Sequence, residues 1–536
     1  MPEIVADVAV IGGGLGGVAA ALAAAGAGRT VALSEDSDWL GGQLTTQAVP
    51  PDEHPWIEQF GCTASYRRLR ERIRDYYRQW YPLSAAARHR PDLNPGLGTV
   101  SKLCVEPRVA ATVLADMLAA HRASGRVRVL LRHRPVAADA EGDRIAAVQL
   151  ETPGGEHLSV VAAYFLDATE TGELLPLAGV EHVTGSESHG QTGEPHAPAQ
   201  ADPLNMQAVS WCFAVEHREG EDHTIDRPAS YAHWREHVPA GWPGPLLSFT
   251  APVPRTGEPL ERTFTPNPTP GGVPVVDHRL VGGDQELWAF RRIAARESFE
   301  PGFLASDVTV VNWPMIDYVE GPVYGVGPVE ARRHLAGAKE LSLSFLHWLQ
   351  TEAPRPDGGT GYPGLRLRGD LLETRDGLAK RPYLRESRRI AALRTIVEQD
   401  LALELRPDGR AVRYDDTVGI GSYRIDLHPS TGGDGYIDVA CCPFEIPLGA
   451  LVPVRMQNLL PAAKNIGTTH ITNGCYRLHP VEWNVGEVAG ALAAFCLNER
   501  SAPHRVAAEP VLRERFQRGL VRDGVELHWP AEAAPY

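Results

Sequence analysis

Residues 4 to 35 constrain the fold more than any other stretch of this 536-residue chain. Ile4 to Ile11 (IVADVAVI) is short, apolar and rich in Val and Ile, which fits a buried parallel strand. Gly12-x-Gly14-x-x-Gly17 follows, and Val18 to Ala25 is an Ala-rich helix ended by Gly26 and Gly28. Thr30 to Leu33 is a second buried strand, closed by Glu35. Strand, glycine turn, helix and strand in this order make a right-handed βαβ unit. In such a unit Gly12 allows the tight turn, Gly14 lets the backbone approach a pyrophosphate, and Gly17 lets the helix pack on the strand. The helix N-terminus offers free N–H groups and a positive dipole end to the phosphates, with Leu15 and Gly16 in its first turn. Glu35, 18 residues beyond Gly17, is placed to accept hydrogen bonds from a ribose diol.

The same stretch contains 21 uncharged residues, Val8 to Gly28, and so imitates a signal or membrane segment. Glu3 and Asp7 precede it and five glycines between Gly12 and Gly17 break it, so it reads as soluble structure. Two other glycine patterns, Gly359-x-Gly361-x-x-Gly364 and Gly325-x-Gly327, carry Pro363 and Pro328 and follow no strand. Both read as loops, leaving one dinucleotide fold and no second one for NAD(P)H.

Three later segments bear on which dinucleotide is held. Trp39 to Thr45 contains the pair Gly41-Gly42 followed by Gln43 and Leu44. Phe165 to Gly172 (FLDATETG) is an apolar strand ending in Ala168-Thr169-x-x-Gly172. Leu459 to Gly467 (LLPAAKNIG) is another apolar strand, running into Asn465, Ile466 and Gly467. These segments resemble the FAD-domain motifs of the glutathione-reductase-like flavoenzymes. Together with Arg385 to Ile390 (RESRRI) and the block from Gly467 to Gly490, they make the chain resemble, over nearly its whole length, a bacterial family of FAD-dependent oxidoreductases.

The resemblance implies bound FAD and a metal-independent redox site. It implies that Asp36, Gly41, Gly42, Gln43, Leu44, Val136, Ala168 and Thr169 lie along the cofactor. Asn465, Ile466 and Gly467 would meet the ribityl chain and pyrophosphate. The helix opening at Pro480, with Trp483 and Asn484, would point its N–H groups at the flavin N1/C2 region, where a helix N-terminus stabilises an anionic reduced flavin.

The expected architecture is α/β. A Rossmann-like FAD-binding domain of glutathione-reductase type is built from both chain ends (1–185 and 410–500), with an inserted α+β substrate or cap domain (186–409) and a helical tail (501–536). Gly and Pro number 53 and 44, which calls for many long loops. Helices are expected at Tyr66 to Trp80, Pro107 to His121 and Pro328 to Leu349, and after Pro510. Strands are expected at Arg126 to Leu131, Ile145 to Leu150 and Leu158 to Leu166. The Arg-rich helix at 66–80 reads as a solvated amphipathic helix.

Sixty-seven Asp and Glu against 52 Lys and Arg give a net charge of −15, which argues against a general nucleic-acid binder. Only Lys102, Lys339, Lys380 and Lys464 are lysine; the other basic residues are Arg. The seven cysteines have no C-x-x-C spacing, so neither a disulfide framework nor a zinc site is expected, and a reducing cytoplasm is the default location. Expected partners are a small-molecule substrate and an unassigned electron acceptor, with a homodimer as one possible assembly.

Flavin dehydrogenation needs a substrate C–H near N5 and usually a base for the accompanying proton. Alternation over Ser422 to His428 puts Asp426 and His428 on one face of a strand, as a base with its orienter or as a structural histidine. His470, Tyr476, Arg477 and His479 lie between the third cofactor segment and its helix. Arg385 suits either a substrate carboxylate or a structural ion pair. His428, His470, Arg477 and Arg385 are therefore the catalytic candidates. His54 and Glu58 could line the substrate face, Cys62 and Cys475 could tether the flavin, and Trp211, Trp288, Trp313 and Tyr318 could wall a pocket or fill a core.

The function this favours is hydride removal from a small organic molecule at a C–O, C–N or C–C bond, with the flavin reoxidised by O₂ or another acceptor. The alternatives are an FAD-dependent monooxygenase, an NAD(P)H-using reductase and a non-catalytic redox sensor.

Overall fold

A computed structural model describes residues 2–269 and 285–535. The first sheet begins with β1 (Glu3–Ile11), which passes through the glycine turn into α1 (Leu15–Gly26) and returns as β2 (Val31–Glu35). Helices α2 (Ala64–Trp80) and α3 (Pro107–Ala123) precede β3 (Val127–Leu131), and β4 (Arg134–Glu141), β5 (Arg144–Glu151) and β6 (His157–Asp167) complete this part. The strand order is β3-β2-β1-β6-β5-β4. The β1–β2, β2–β3 and β1–β6 pairs are parallel, whereas β4, β5 and β6 form an antiparallel meander. β4 is absent from the strand expectations above. Its sequence, RPVAADAE, opens with Pro135 near its start and has only small apolar side chains, so its alternation is faint.

The second unit contains β7 (Val209–Ser210), β8 (Phe213–His217), β9 (Arg292–Ala294), β10 (Val308–Val311), β11 (Asp317–Tyr318), α4 (Pro328–Thr351), β12 (Leu365–Leu367) and β13 (Tyr383–Leu384). A four-stranded sheet runs β9-β10-β8-β12, and a short three-stranded one runs β11-β7-β13. In the latter Ser210 pairs with Asp317 on one side and Tyr383 on the other. Trp288, Trp313 and Trp211 are buried in the core of this unit, so they fill it. Leu287–Phe290 is a helical turn that leads into β9.

The chain then forms β14 (Thr417–Gly421), β15 (Ile425–Leu427), β16 (Ile437–Val439) and β17 (Phe444–Pro447), paired as two hairpin-like couples. Only with β18 (Leu459–Pro461), parallel to β6, does it rejoin the first sheet. Helices α5 (His470–Tyr476), α6 (His479–Glu499) and α7 (Pro510–Arg522) follow. The His470 to Tyr476 stretch, expected between a loop and a helix, is itself a helix, capped by the Thr469 side chain accepting from Thr472 N–H. The strand expected at Ser422 to His428 is shorter, Ile425–Leu427.

Helices α1 and α6 meet backbone to backbone. A Cβ on Gly486 would lie 1.9 Å from Gly16 O, and one on Gly490 would lie 2.2 Å from Ala20 O. This seam fixes the opening of α6 beside the opening of α1, and both helix N-termini face the same region.

The Arg-rich helix differs from expectation. Arg70 and Arg74 are buried, and Glu53 and Glu58 pair with them. Spacing alone does not show this, because the acidic partners come from the preceding loop. Among the described residues no helix is long and apolar enough to cross a membrane.

Candidate functional site

The glycine turn lies at the carboxyl ends of β1 and β6. Gly12 has φ +103°, and a Cβ there would lie 2.2 Å from Ala168 O. Only glycine fits this contact. Gly13 N–H donates to Glu35 Oε2 at 2.9 Å, and Ser37 N–H donates to Glu35 Oε1 at 2.9 Å. Burial, followed by the neighbouring Asp36, raises the Glu35 carboxyl well above its usual value. Asp36 itself is exposed and pairs with Arg381 at 2.8 Å. Val136 is half-buried in β4, just beyond His133, whose N–H donates to Glu35 O.

The turn at Gly41 and Gly42 folds over this loop. Gly41 N–H donates to Gly13 O at 2.8 Å, and a Cβ on Gly42 would lie 2.9 Å from Gly14 Cα. Thr169 is held by Asp167 Oδ1 at 2.7 Å. Asn465 is committed to the fold: its amide donates to Asp167 O at 3.0 Å and its carbonyl accepts from Ala463 N–H. Ile466 is buried, and Gly467 N–H donates to Ala450 O. Trp483 donates to Ser65 Oγ, while Asn484 donates to Val418 O. Both side chains are tied to the fold in this way, so what the start of α6 offers a cofactor is chiefly backbone.

Three residues outside the expected set, Glu482, Lys464 and Glu170, sit at the start of α1. Glu482 Oε1 accepts from Gly16 N–H at 3.2 Å, and Glu482 Oε2 accepts from Gln43 Nε2 at 2.5 Å. Lys464 is buried against Glu170. Glu170 Oε1 is buried without a hydrogen-bond partner. Burial raises the Glu482 carboxyl to about 7, with Lys464 opposing the rise. One signal in the sequence could have found this group. In a chain with four lysines, one stands inside the third cofactor segment.

These residues fit an extended FAD: the glycines clear the backbone, the start of α1 and Lys464 would offer donors to a pyrophosphate, and Glu35 and the unpartnered Glu170 Oε1 would offer acceptors to ribose or ribityl hydroxyls.

A second group lies between the units. His428 Nδ1 is 2.5 Å from Asp317 Oδ2, and His428 Nε2 is 3.9 Å from Asp426 Oδ2. Asp317 also receives Arg385 Nη2 at 3.0 Å and Ser210 Oγ at 2.6 Å. Burial alone would raise the Asp317 carboxyl, but Arg385 and then His428 outweigh it and hold it at about 2. An ionised carboxylate only accepts, so the Nδ1 of His428 carries a proton. Arg477 donates to Tyr383 OH at 2.6 Å and to Asp426 O at 3.0 Å.

Three of the four catalytic candidates, His428, Arg385 and Arg477, thus meet in one network with Asp317, Tyr383 and Asp426. Of these three additions the sequence pattern had marked only Asp426. Asp317 is 111 residues from His428, and short-range spacing cannot link the two.

His470 lies in a neighbouring network. Its Nδ1 is 3.1 Å from Glu386 Oε1, and its N–H donates to Glu187 Oε2 at 2.8 Å. Burial lowers His470, but Glu386 more than reverses this, so its value is raised. Arg389 joins the same pair. His479 is held neutral by burial, at about 4; its Nδ1 accepts from Asp52 N–H at 3.1 Å.

His54 and Glu58 do not line the site. Glu58 pairs with Arg74 at 2.5 Å, and His54 contacts Gly61 O at 2.9 Å and the Trp529 ring. Burial pushes the Cys62 thiol up to about 12 and also raises Cys475, which disfavours a thiolate at either.

Solved structures with similar folds are remote. A geranylgeranyl bacteriochlorophyll reductase-like protein from Thermoplasma acidophilum is 9% identical, over 98% of this chain and 85% of that one, with a TM-score of 0.32. L-proline dehydrogenase from P. horikoshii is 16% identical over 34% of this chain and 24% of that one, with a TM-score of 0.18. The flavin-dependent monooxygenase PieE, solved with FAD and substrate, is 14% identical over 40% and 36%, with a TM-score of 0.23. The chain therefore spans less than half the length of the last two. No curated protein sequence matches the chain. The profile of the FAD dependent oxidoreductase family matches residues 7–520, and the chain belongs to that family.

Proposed function

We propose that this FAD-dependent oxidoreductase is a dehydrogenase or oxidase that takes a small organic substrate apart as a hydride, which goes to the flavin, and a proton, which goes to a base. The Asp317–His428 pair carries this reading. Its Nδ1–H is fixed by a carboxylate, its Nε2 takes up a proton whenever the imidazole is neutral, and the side chain is 18% exposed. A buried acid that orients an imidazole is what general-base removal of an O–H or N–H proton requires. FAD, when bound, supplies the electron acceptor. Arg385 acts by holding Asp317, and so positions His428 at one remove. Arg477, bonded to Tyr383, approaches the same Asp426 oxygen as His428 and is placed to orient the substrate.

Anaerobic mixing of the FAD-loaded protein with panels of alcohols, amines and hydroxy or amino acids, followed by absorption, tests this. Bleaching by a member of the panel, slowed about 10²–10⁴-fold in His428→Asn, is expected. Bleaching by NADPH and by none of the panel would contradict it.

A further inference from the structure

Five buried donors around Tyr383 have no acceptor. They are Nε of Arg291, Arg385 and Arg477 and the amide nitrogens of Gln47 and Gln207. The three arginines are between 2% and 8% exposed. Buried polar atoms are nearly always paired, so five unmet donors in one region require a reason. Every one is a donor only, so the missing partner is a set of acceptor atoms.

Four of the five are tied to Tyr383 or its neighbour Leu384, and Gln207 is tied to His428. Arg477 bonds Tyr383 OH, and the Arg385 guanidinium lies 4.8 Å from the Tyr383 ring centroid. The electrostatic neighbours of Tyr383 include Arg477, Asp52, Arg385 and Arg291. Gln47 Oε1 accepts from Leu384 N–H, next to Tyr383, and Gln207 Oε1 accepts from His428 N–H. Arg291 is the most loosely held of the three, at 3.5 Å from Pro50 O and 3.4 Å from Asp52 Oδ1. Arg385, with bonds of 2.8 to 3.0 Å to Ala208 O, Ser210 Oγ and Asp317, is committed to the fold.

We infer that the substrate is a small carboxylic acid whose carboxylate is received by Arg291 and Arg477 beside Tyr383, with its oxidisable carbon toward His428. Two planar guanidinium groups with free Nε–H edges match the two oxygens of a carboxylate. Scale agrees: Arg477 Nη2 is 3.4 Å, and His428 Nε2 is 3.9 Å, from the same Asp426 oxygen. One small molecule can therefore touch both residues. The inference names the substrate class of the dehydrogenase reading and rests on it for the role of His428, while its binding test is independent of turnover.

The test titrates FAD-loaded protein with acetate, propionate and benzoate, and with acetamide, propionamide and benzamide. Perturbation of the visible flavin band and the shift in Tm are followed. Saturable binding of at least one carboxylate, at least tenfold tighter than its amide, is expected. Arg291→Gln should weaken it at least tenfold, and Arg291→Lys should restore part of the loss. Both variants should keep the wild-type FAD content, which shows that they fold.

Equal binding of acid and amide, or unchanged carboxylate binding in a folded Arg291→Gln protein, would overturn the inference. So would a failure of all three acids to bind the loaded protein, which would assign the free donors to FAD itself. None of these results touches the dehydrogenase reading, which stands or falls on anaerobic bleaching.

Discussion

Asp317 shows how one buried carboxylate sets the chemistry of a neighbour. Its ionised state fixes the tautomer of His428, and Arg385 fixes the ionised state. Asp317→Asn keeps the shape and removes that constraint. Turnover should fall about 10²–10⁴-fold with FAD content unchanged. Combined with His428→Asn, the loss should be far less than the product of the two, because the residues act as one unit; steady-state kinetics of the double-mutant cycle checks this. His470 and Glu386 make a different kind of pair, buried on both sides in the neighbouring network. Folding raises His470 and lowers Glu386. The His470 contribution to stability is therefore complete below its unfolded value near 6.5 and is lost as pH rises through the folded value. The Glu386 contribution is present above its unfolded value near 4.5 and is lost as pH falls. Tm measured from pH 5 to 9 should decline toward the alkaline end, and the decline should be shallower in His470→Gln.

Between elements, the seam of α1 and α6 does most to assemble the cofactor end. Gly486→Ala would drive a methyl to 1.9 Å from Gly16 O, and backbone cannot yield as a side chain can. A loss of about 1–3 kcal/mol or more is expected by chemical denaturation, together with weaker FAD retention. Gly244→Ala, where nothing lies within 4 Å of the added methyl, should stay within about 0.5 kcal/mol. These elements were also the most legible. The run from Ile4 to Glu35 announces strand, turn, helix and strand because each signal is local. The two other glycine patterns read correctly as loops, with Gly361 and Gly325 at φ +73° and +76°. The edge strand β4 and the short β15 were harder to read. Their register is set by β5 and by β16, and not by their own alternation. The dyad was half legible: Asp426 lies in β15 with His428 just beyond its end, but Asp317 arrives from β11 through tertiary pairing with β7.

At the scale of the molecule, the two ends of the chain and the central unit meet at one place. β1, β6 and β18 lie side by side, α6 returns to α1, and the β11-β7-β13 sheet presents Asp317 and Tyr383 toward Arg477. A ligand that binds only this assembled state stabilises the whole chain. FAD at a hundred times its dissociation constant should add about 2.7 kcal/mol and raise Tm accordingly. Expectations of cytoplasmic location and of a homodimer belong to the sequence reading alone. The central claim is that the glycine turn, Glu35 and the Lys464 group together hold FAD. The measurement that tests it most directly is the absorption spectrum of the purified chain, before and after mixing with FAD and removing the excess. The account predicts a flavin band corresponding to one FAD per chain. A colourless protein that FAD does not reconstitute would contradict it.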